Sequence, residues 1–276
     1  MELEQSVAHH YTHGSLERAV LDALIASGRD TDRLAPPDLA PVDEFHIGGR
    51  QATIDFADQL EVRPGLHLLD IGCGLGGASR YFAHERGCQV TGIDLTEEYV
   101  RVAESLARRV GLEDRVTYRQ GSALDLPFAP ETFDGAYMLH VGMNIQDKRS
   151  LLAEVRRVLK PGGIFGIYDV MREGEGDLSF PVPWASSPDT SFVESAADYR
   201  RLLKDAGFSV EKERSRRDFA IDFFRQLRAL TAQSGGPPPL GLHILMGAAS
   251  PQKVANMMDN LERGLIAPTE IIARAT

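Results

Sequence analysis

Cysteine is nearly absent. The chain has 276 residues and two cysteines, Cys73 and Cys88, so no disulfide framework can hold it and an apolar core must. Basic charge is in deficit: 30 Lys and Arg stand against 40 Asp and Glu, a formal net charge of -10. An acidic chain repels phosphate backbones and anionic lipid heads at long range. The densest basic cluster, Lys212 to Arg217, is interrupted by Glu213. Nucleic acid and membrane are therefore not expected as partners. Long apolar runs are missing too; none approaches the roughly 18–20 residues that span a bilayer. The opening MELEQSVAHH has neither the basic nor the apolar region of a secretory signal, and the expectation is a soluble, cytoplasmic protein. What remains is ordinary globular stock, 43% hydrophobic and 25% charged, enough for one large domain with an elaborate cap.

No internal repeat or low-complexity tract is visible. Residues 15–28 read as an amphipathic helix, with Ser15 as cap, a stripe of Leu16, Val20, Leu21, Leu24 and Ile25, and Gly28 as stop. Pro36, Pro37 and Pro41 read as a break, and a second helix is expected from about Gly49 to Leu60. From Leu66 the rhythm changes. Short apolar runs at 66–69, 89–93, 116–118, 133–139 and 164–170 alternate with helical stretches. Strands separated by helices imply right-handed crossovers and a parallel sheet covered on both faces. The expectation is a Rossmann-like, doubly wound α/β fold with a seven-stranded, mostly parallel sheet. It divides into an N-terminal helical cap at 1–60, a core at 61–213, an inserted helical cap at 214–268, and a last strand at 269–276.

The segment with most chemical content is Leu69-Asp70-Ile71-Gly72-Cys73-Gly74-Leu75-Gly76-Gly77. Glycines let the chain turn sharply and approach a ligand closely, and the following helix start offers free N–H groups. The turn leaves the carboxyl end of the first strand, where open α/β sheets bind ligands. Gly72, Gly74 and Gly77 satisfy the dinucleotide pattern G-x-G-x-x-G; Gly72, Gly74 and Gly76 satisfy the G-x-G-x-G of S-adenosylmethionine (SAM) enzymes. Asp70 favours the second, because a carboxylate beside the turn repels a pyrophosphate but not a sulfonium with an amino group. Asp94, ending the second strand, can accept from both ribose hydroxyls, which suits NAD and SAM alike.

Beyond the turn, residues 45–170 or so resemble the class I SAM-dependent methyltransferases. The likeness rests on LLDIGCGLGG, TGIDLT, QGSALDLPF, FDGAYMLH and VLKPGG in this order. It is nearest the small-molecule branch of sarcosine/dimethylglycine N-methyltransferases and ubiquinone/menaquinone C-methyltransferases. The resemblance implies that Asp70, Gly72, Gly74 and Gly76 surround the methionine part of SAM, that Asp94 binds the ribose, that Leu95 packs on the adenine, and that Ser122 and Ala123 meet its edge. Many relatives carry an aspartate where Ser122 stands, so adenine recognition here leans on backbone amides. Tyr11 and Gln51 would close over the cofactor. His140, just past the fourth strand, would lie near the transferred methyl as the catalytic residue, there to position or to deprotonate the acceptor, with Tyr168, Trp184 and His46 beside the acceptor.

The implied reaction is in-line methyl transfer to an N, O or C nucleophile of a small molecule, yielding S-adenosyl-L-homocysteine, with an amine acceptor slightly favoured. Several residues keep a plainer reading. His140 can be a satisfied polar group at a strand end, and Trp184 can anchor a loop. His9, His10 and His13 lack a carboxylate or cysteine at ligand spacing, so no metal is expected. The N-terminal helix could also serve a homodimer. The rival functions are an NAD-type oxidoreductase using Gly72, Gly74 and Gly77, and a SAM-binding protein without catalysis.

Overall fold

The computed structural model describes residues 2–276. Four helices come first: α1 (Glu2–Tyr11), α2 (Leu16–Ala26), α3 (Pro36–Asp43) and α4 (Gly49–Ala57). The core follows as β1 (His67–Ile71), α5 (Gly77–Glu85), β2 (Gln89–Asp94), α6 (Glu97–Arg109), β3 (Val116–Gln120), β4 (Phe133–Leu139), α7 (Lys148–Val158), β5 (Leu159–Arg172), α8 (Ala196–Asp205) and β6 (Phe208–Ser215). A second helical group, α9 (Arg217–Gln233), α10 (His243–Met246) and α11 (Ser250–Glu262), precedes β7 (Ile266–Ala275). β6 runs to Ser215 and β7 begins at Ile266, so the helical stretch between these strands is 216–265, where 214–268 was expected.

The seven strands lie in the order β3-β2-β1-β4-β5-β7-β6. β7 runs antiparallel to both β5 and β6, and the other pairings are parallel. Ile71 is in register with Ile93 on one side and Met138 on the other, so the carboxyl ends of β1, β2 and β4 share one edge. Strand order reverses between β1 and β4, the crevice where such sheets take ligands.

Pleating splits the core between the two faces. Leu69, Ile71, Met138 and Phe165 pack with Leu151, Val155 and Leu203 from α7 and α8. Leu68, Val90, Tyr137 and Tyr168 face Phe56 and Phe82 from α4 and α5. Ile47, Met143, Trp184, Phe224, Met257 and Leu261 form a separate cluster joining the second cap to the core.

The expected break at 36–41 is a helix. Pro36 and Pro37 occupy its first turn, where an N–H has no partner to lose. The Asp38 carboxylate accepts from the Ala35 N–H at 2.9 Å and caps the start. α1, in the stretch read only as an N-terminal cap, buries no residue. The turn after it is fixed instead: Glu98 accepts from the N–H groups of His13, Gly14 and Leu16 at 2.6, 2.9 and 3.0 Å.

Candidate active site

The chain leaves β1 in a tight turn. The N–H groups of Gly72 and Cys73 both donate to the Ile93 carbonyl, at 2.8 and 3.0 Å. Gly74 donates to one Asp94 oxygen at 2.9 Å, and Thr96 donates to the other at 2.8 Å. Asp94 therefore ties the glycine turn to the start of α6. Gly76 has φ +79 and begins α5; a Cβ there would sit 2.7 Å from the Tyr118 ring, so only glycine fits. Gly77 has a different task. A Cβ on it would lie 2.8 Å from the Asp43 carbonyl carbon, so Gly77 lets α5 abut α3. The third glycine of the dinucleotide pattern is thus spent on packing.

Carboxylates crowd this turn. Asp70 is buried and accepts from the Ser79 hydroxyl at 2.6 Å. Burial outweighs that bond and pushes its pKa up to about 7. Asp43 gives one oxygen to Arg80 at 2.5 Å, while the other has no partner; burial prevails over the guanidinium and raises its pKa to about 6. Burial also raises Asp94, despite its backbone bonds. Burial, with Asp94 and Asp70 nearby, raises the Cys73 thiol well above its usual range, so it is no nucleophile at neutral pH. Asp43, Glu44, His46, Asp70, Gly72 and Gly74 all face a cleft of about 50 Å³. Buried acids held partly neutral, one with an orphan oxygen, form a donor set that a cationic ligand would satisfy.

A much larger cavity, about 1210 Å³, opens on the far side of His46. Its wall combines Phe45 and His140 with Trp184, Phe224, Met246 and Met258 and is mainly apolar. Glu44, Phe45 and His46 line both spaces. His46 Nε2 meets Glu44 Oε2 at 3.0 Å, and the Thr53 hydroxyl donates to the same oxygen at 2.6 Å. Arg50 reaches the other Glu44 oxygen at 3.3 Å. Burial alone would raise Glu44, but the hydrogen bonds from His46 and Thr53 keep it below the usual carboxylate range.

The expected residues divide into three groups. Asp70, Gly72, Gly74 and His46 face the small cleft, with Gly76 in the same turn and Asp94 behind it. Tyr11, His46, His140 and Trp184 line the large cavity. Trp184 also anchors its loop, donating from its indole N–H to Ser191 at 2.9 Å. Leu95, Ser122 and Ala123 lie at the same sheet edge but line neither space; Ser122 donates to the Glu4 carboxylate of α1, and Ala123 packs on the core.

Three expectations need correction. Gln51 is exposed on α4 and donates to Asp55 at 2.7 Å, away from both spaces. Tyr168 is fully buried behind the two histidines; its hydroxyl donates to the Ile47 carbonyl at 2.9 Å. His140 lacks a free ring nitrogen. Nδ1 lies 3.2 Å from the Tyr168 carbonyl, which only accepts, and Nε2 accepts from the Ile47 N–H at 3.4 Å. Burial, with His46 nearby, depresses its pKa to about 3. That is a poor base.

Glu44 and Asp43 went unread in the sequence. Their signal was an Asp-Glu pair two residues before His46, masked by the reading of the preceding prolines as a break.

Residues 69–167 match the family described as "Methyltransferase domain". The chain is 37% identical over 113 residues to sterol 24-C-methyltransferase ERG6B of Gibberella zeae, covering 41% of this chain and 30% of that one. It is 32% identical over 177 residues to methyltransferase GfsG of Streptomyces halstedii, covering 63% and 64%. The chain thus spans between about a third and two thirds of the length of these curated relatives. Among solved structures, geranyl diphosphate C-methyltransferase from Streptomyces coelicolor A3(2) superposes with a TM-score of 0.74 at 18% identity, covering 100% of this chain and 98% of that one. The switch-point crevice and the glycine turn pinned by Asp94 lie within the stretch, residues 69–167, that matches a methyltransferase domain, and the chain as a whole has the Rossmann-like fold of the solved structure it superposes on.

Proposed function

We propose that this protein is a SAM-dependent methyltransferase acting on a small molecule. The observation that carries it is the meeting, at His46, of an acid-ringed cleft and a large apolar cavity. Bound SAM would supply an already activated methyl on a sulfonium leaving group. The residues supply the rest. Asp70 and the unpaired oxygen of Asp43 favour the positively charged methionine end. Asp94 would take the ribose hydroxyls through the lone pairs left beyond its backbone bonds. Phe45 and His46 separate the two spaces and set the line along which donor and acceptor meet. Trp184, Phe224 and the methionines exclude water from that line.

The cleft is too small for an adenosyl group as it stands. α1 lies against its rim, with Tyr11 packed on Phe45 and Tyr99 and Glu4 bonded to Ser122, so a shift of α1 that parts these contacts and the 2.9 Å bond from the Tyr11 hydroxyl to Asn144 would widen it. α1 suits such movement because nothing in it is buried. His140 acts as a positioning residue here, holding Ile47 and, through it, the His46 segment.

Calorimetry is the test. S-adenosylhomocysteine and SAM should each bind one site per chain and raise the melting temperature, because ligands of the native state stabilise it; 100-fold excess over Kd contributes about 2.7 kcal/mol. NAD(H) should do neither. Heat from NAD(H) and none from SAM or its product would reverse the reading.

A further inference from the structure

The side chain of His46 carries an unexplained feature: Nδ1 is buried and has no partner. The other nitrogen explains its state. Nε2 contacts the Glu44 carboxylate at 3.0 Å and the Thr53 hydroxyl, also at 3.0 Å, whose own proton goes to Glu44. A carboxylate only accepts, so Nε2 must carry the hydrogen. In the neutral ring Nδ1 is then an unprotonated lone pair, held in place by the bonds at Nε2. A buried acceptor without a donor is costly unless a ligand completes it, and His46 lines both the cleft and the cavity. His140 cannot take this role, since both of its nitrogens meet backbone groups.

We propose that His46, held by Glu44, is the general base for a hydroxyl acceptor, and that this acceptor is a large, mostly apolar molecule such as an alkyl- or ring-substituted phenol. The inference rests on the methyltransferase reading. In the step, a lone pair of the acceptor oxygen forms the new O–CH₃ bond. The S–CH₃ bond breaks and its electron pair stays on sulfur, leaving a neutral thioether. The hydroxyl proton passes to Nδ1, and Glu44 stabilises the imidazolium through Nε2–H. Water removes the proton after the product leaves.

A cavity of about 1210 Å³ exceeds the usual 300–1,000 Å³ of small-molecule sites. Its apolar wall suits a bulky hydrophobic body. A neutral amine needs no base, so an amine acceptor would leave the Glu44–His46 pair without a task. The titratable groups around His46 are Glu44 from its own segment, whose other oxygen is held by Arg50 of α4, His140 after β4, and the Tyr168 ring from β5. Only Glu44 touches its ring nitrogens among these.

The test uses the full chain with methyl-labelled SAM and two matched series, 4-alkylphenols and 4-alkylanilines of rising chain length. Phenols should accept label, with kcat/KM growing with chain length and rising with pH through one ionisation. His46→Gln should lower kcat about 10²–10⁴-fold, with S-adenosylhomocysteine affinity and circular dichroism unchanged. An independent readout is the ¹⁵N spectrum of the histidines without ligand. One ring should be a fixed Nε2–H tautomer absent from His46→Gln and scrambled in Glu44→Leu, which removes the acceptor that fixes it. Anilines accepting while phenols do not, a His46→Gln enzyme with full kcat and an unchanged pH profile, or an Nδ1–H tautomer for the ring whose signal is lost in His46→Gln would overturn the proposal. So would S-adenosylhomocysteine binding with no transfer to any phenol. Absence of that binding would instead remove the underlying methyltransferase reading.

Discussion

The two halves of the candidate site are built differently. The core half is one continuous turn, in which Gly72 donates to the Ile93 carbonyl of the adjacent strand, Gly76 to the Cys73 carbonyl, and Gly74 to the Asp94 carboxylate. The cap half gathers Phe45, Trp184, Phe224 and Met258 from segments some 200 residues apart. One is fixed by local backbone geometry, the other by side-chain packing. The core half should therefore fail abruptly when a single atom is added, and the cap half should change what it accepts while the fold stands.

The sharpest break in the core half is Gly76→Val. The new side chain meets the Tyr118 ring and Arg80 at a backbone position with φ +79. Strain and overpacking at about 1–3 kcal/mol each should lower the melting temperature by about 10 °C and abolish S-adenosylhomocysteine binding. A variant that melts within 2 °C of the parent and binds normally would show that the turn is not rigid. Asp94→Ala comes next. Losing a charged acceptor for two hydroxyls, at about 1.5–3 kcal/mol per bond, should weaken S-adenosylhomocysteine at least 100-fold by calorimetry.

The same contrast sets how much the sequence revealed. Strand–turn–helix alternation and the glycine motif are local patterns, so the sheet, its edge and the tight turn that carries Asp70, Gly72 and Gly74 beside Asp94 were readable. The long β5 was underestimated, because Pro161-Gly162-Gly163 reads as a stop; a register shift beside Gly135 lets the strand begin at Leu159. α3 was missed because prolines are judged by type, although their first-turn position decides. Glu44 and the orphan nitrogen of His46 depend on Thr53, nine residues from Glu44 across a helix start, and on what is left unpaired. No pattern in the chain encodes that. Tyr168 and Gln51 were misplaced because strand-end position alone does not say which face a side chain takes, nor does helix-start position.

In the cap half, Leu227→Lys gives the complementary test. Leu227 is partly exposed at the cavity rim, so a charge there should leave the melting temperature and S-adenosylhomocysteine affinity unchanged. Affinity for an apolar acceptor should fall about 10-fold, the 1–2 kcal/mol of one lost aliphatic contact. Equal losses for both ligands would mean the two halves are one coupled site.

An effect of the same modest size is the most specific to the core half. Asp70 ionises near pH 7 in the folded chain instead of near 3.8, chiefly because it is buried. A raised carboxyl binds more protons folded than unfolded, so this group makes the ligand-free protein lose stability as pH rises from about 4 to 7. A cationic ligand reverses the preference. It favours the ionised carboxylate, so binding below pH 7 must expel a proton. SAM affinity should fall about 10-fold between pH 8 and pH 6, about 1.4 kcal/mol, and the SAM-induced rise in melting temperature should be larger at pH 8. Asp43, raised to about 6, adds to the fall only at the acid end. Asp70→Asn should keep the bond to Ser79 and flatten the profile, since no proton is left to expel. A steep profile surviving in Asp70→Asn would assign the titration to Asp43, and a flat profile in the parent would mean that Asp70 does not face the ligand's charge.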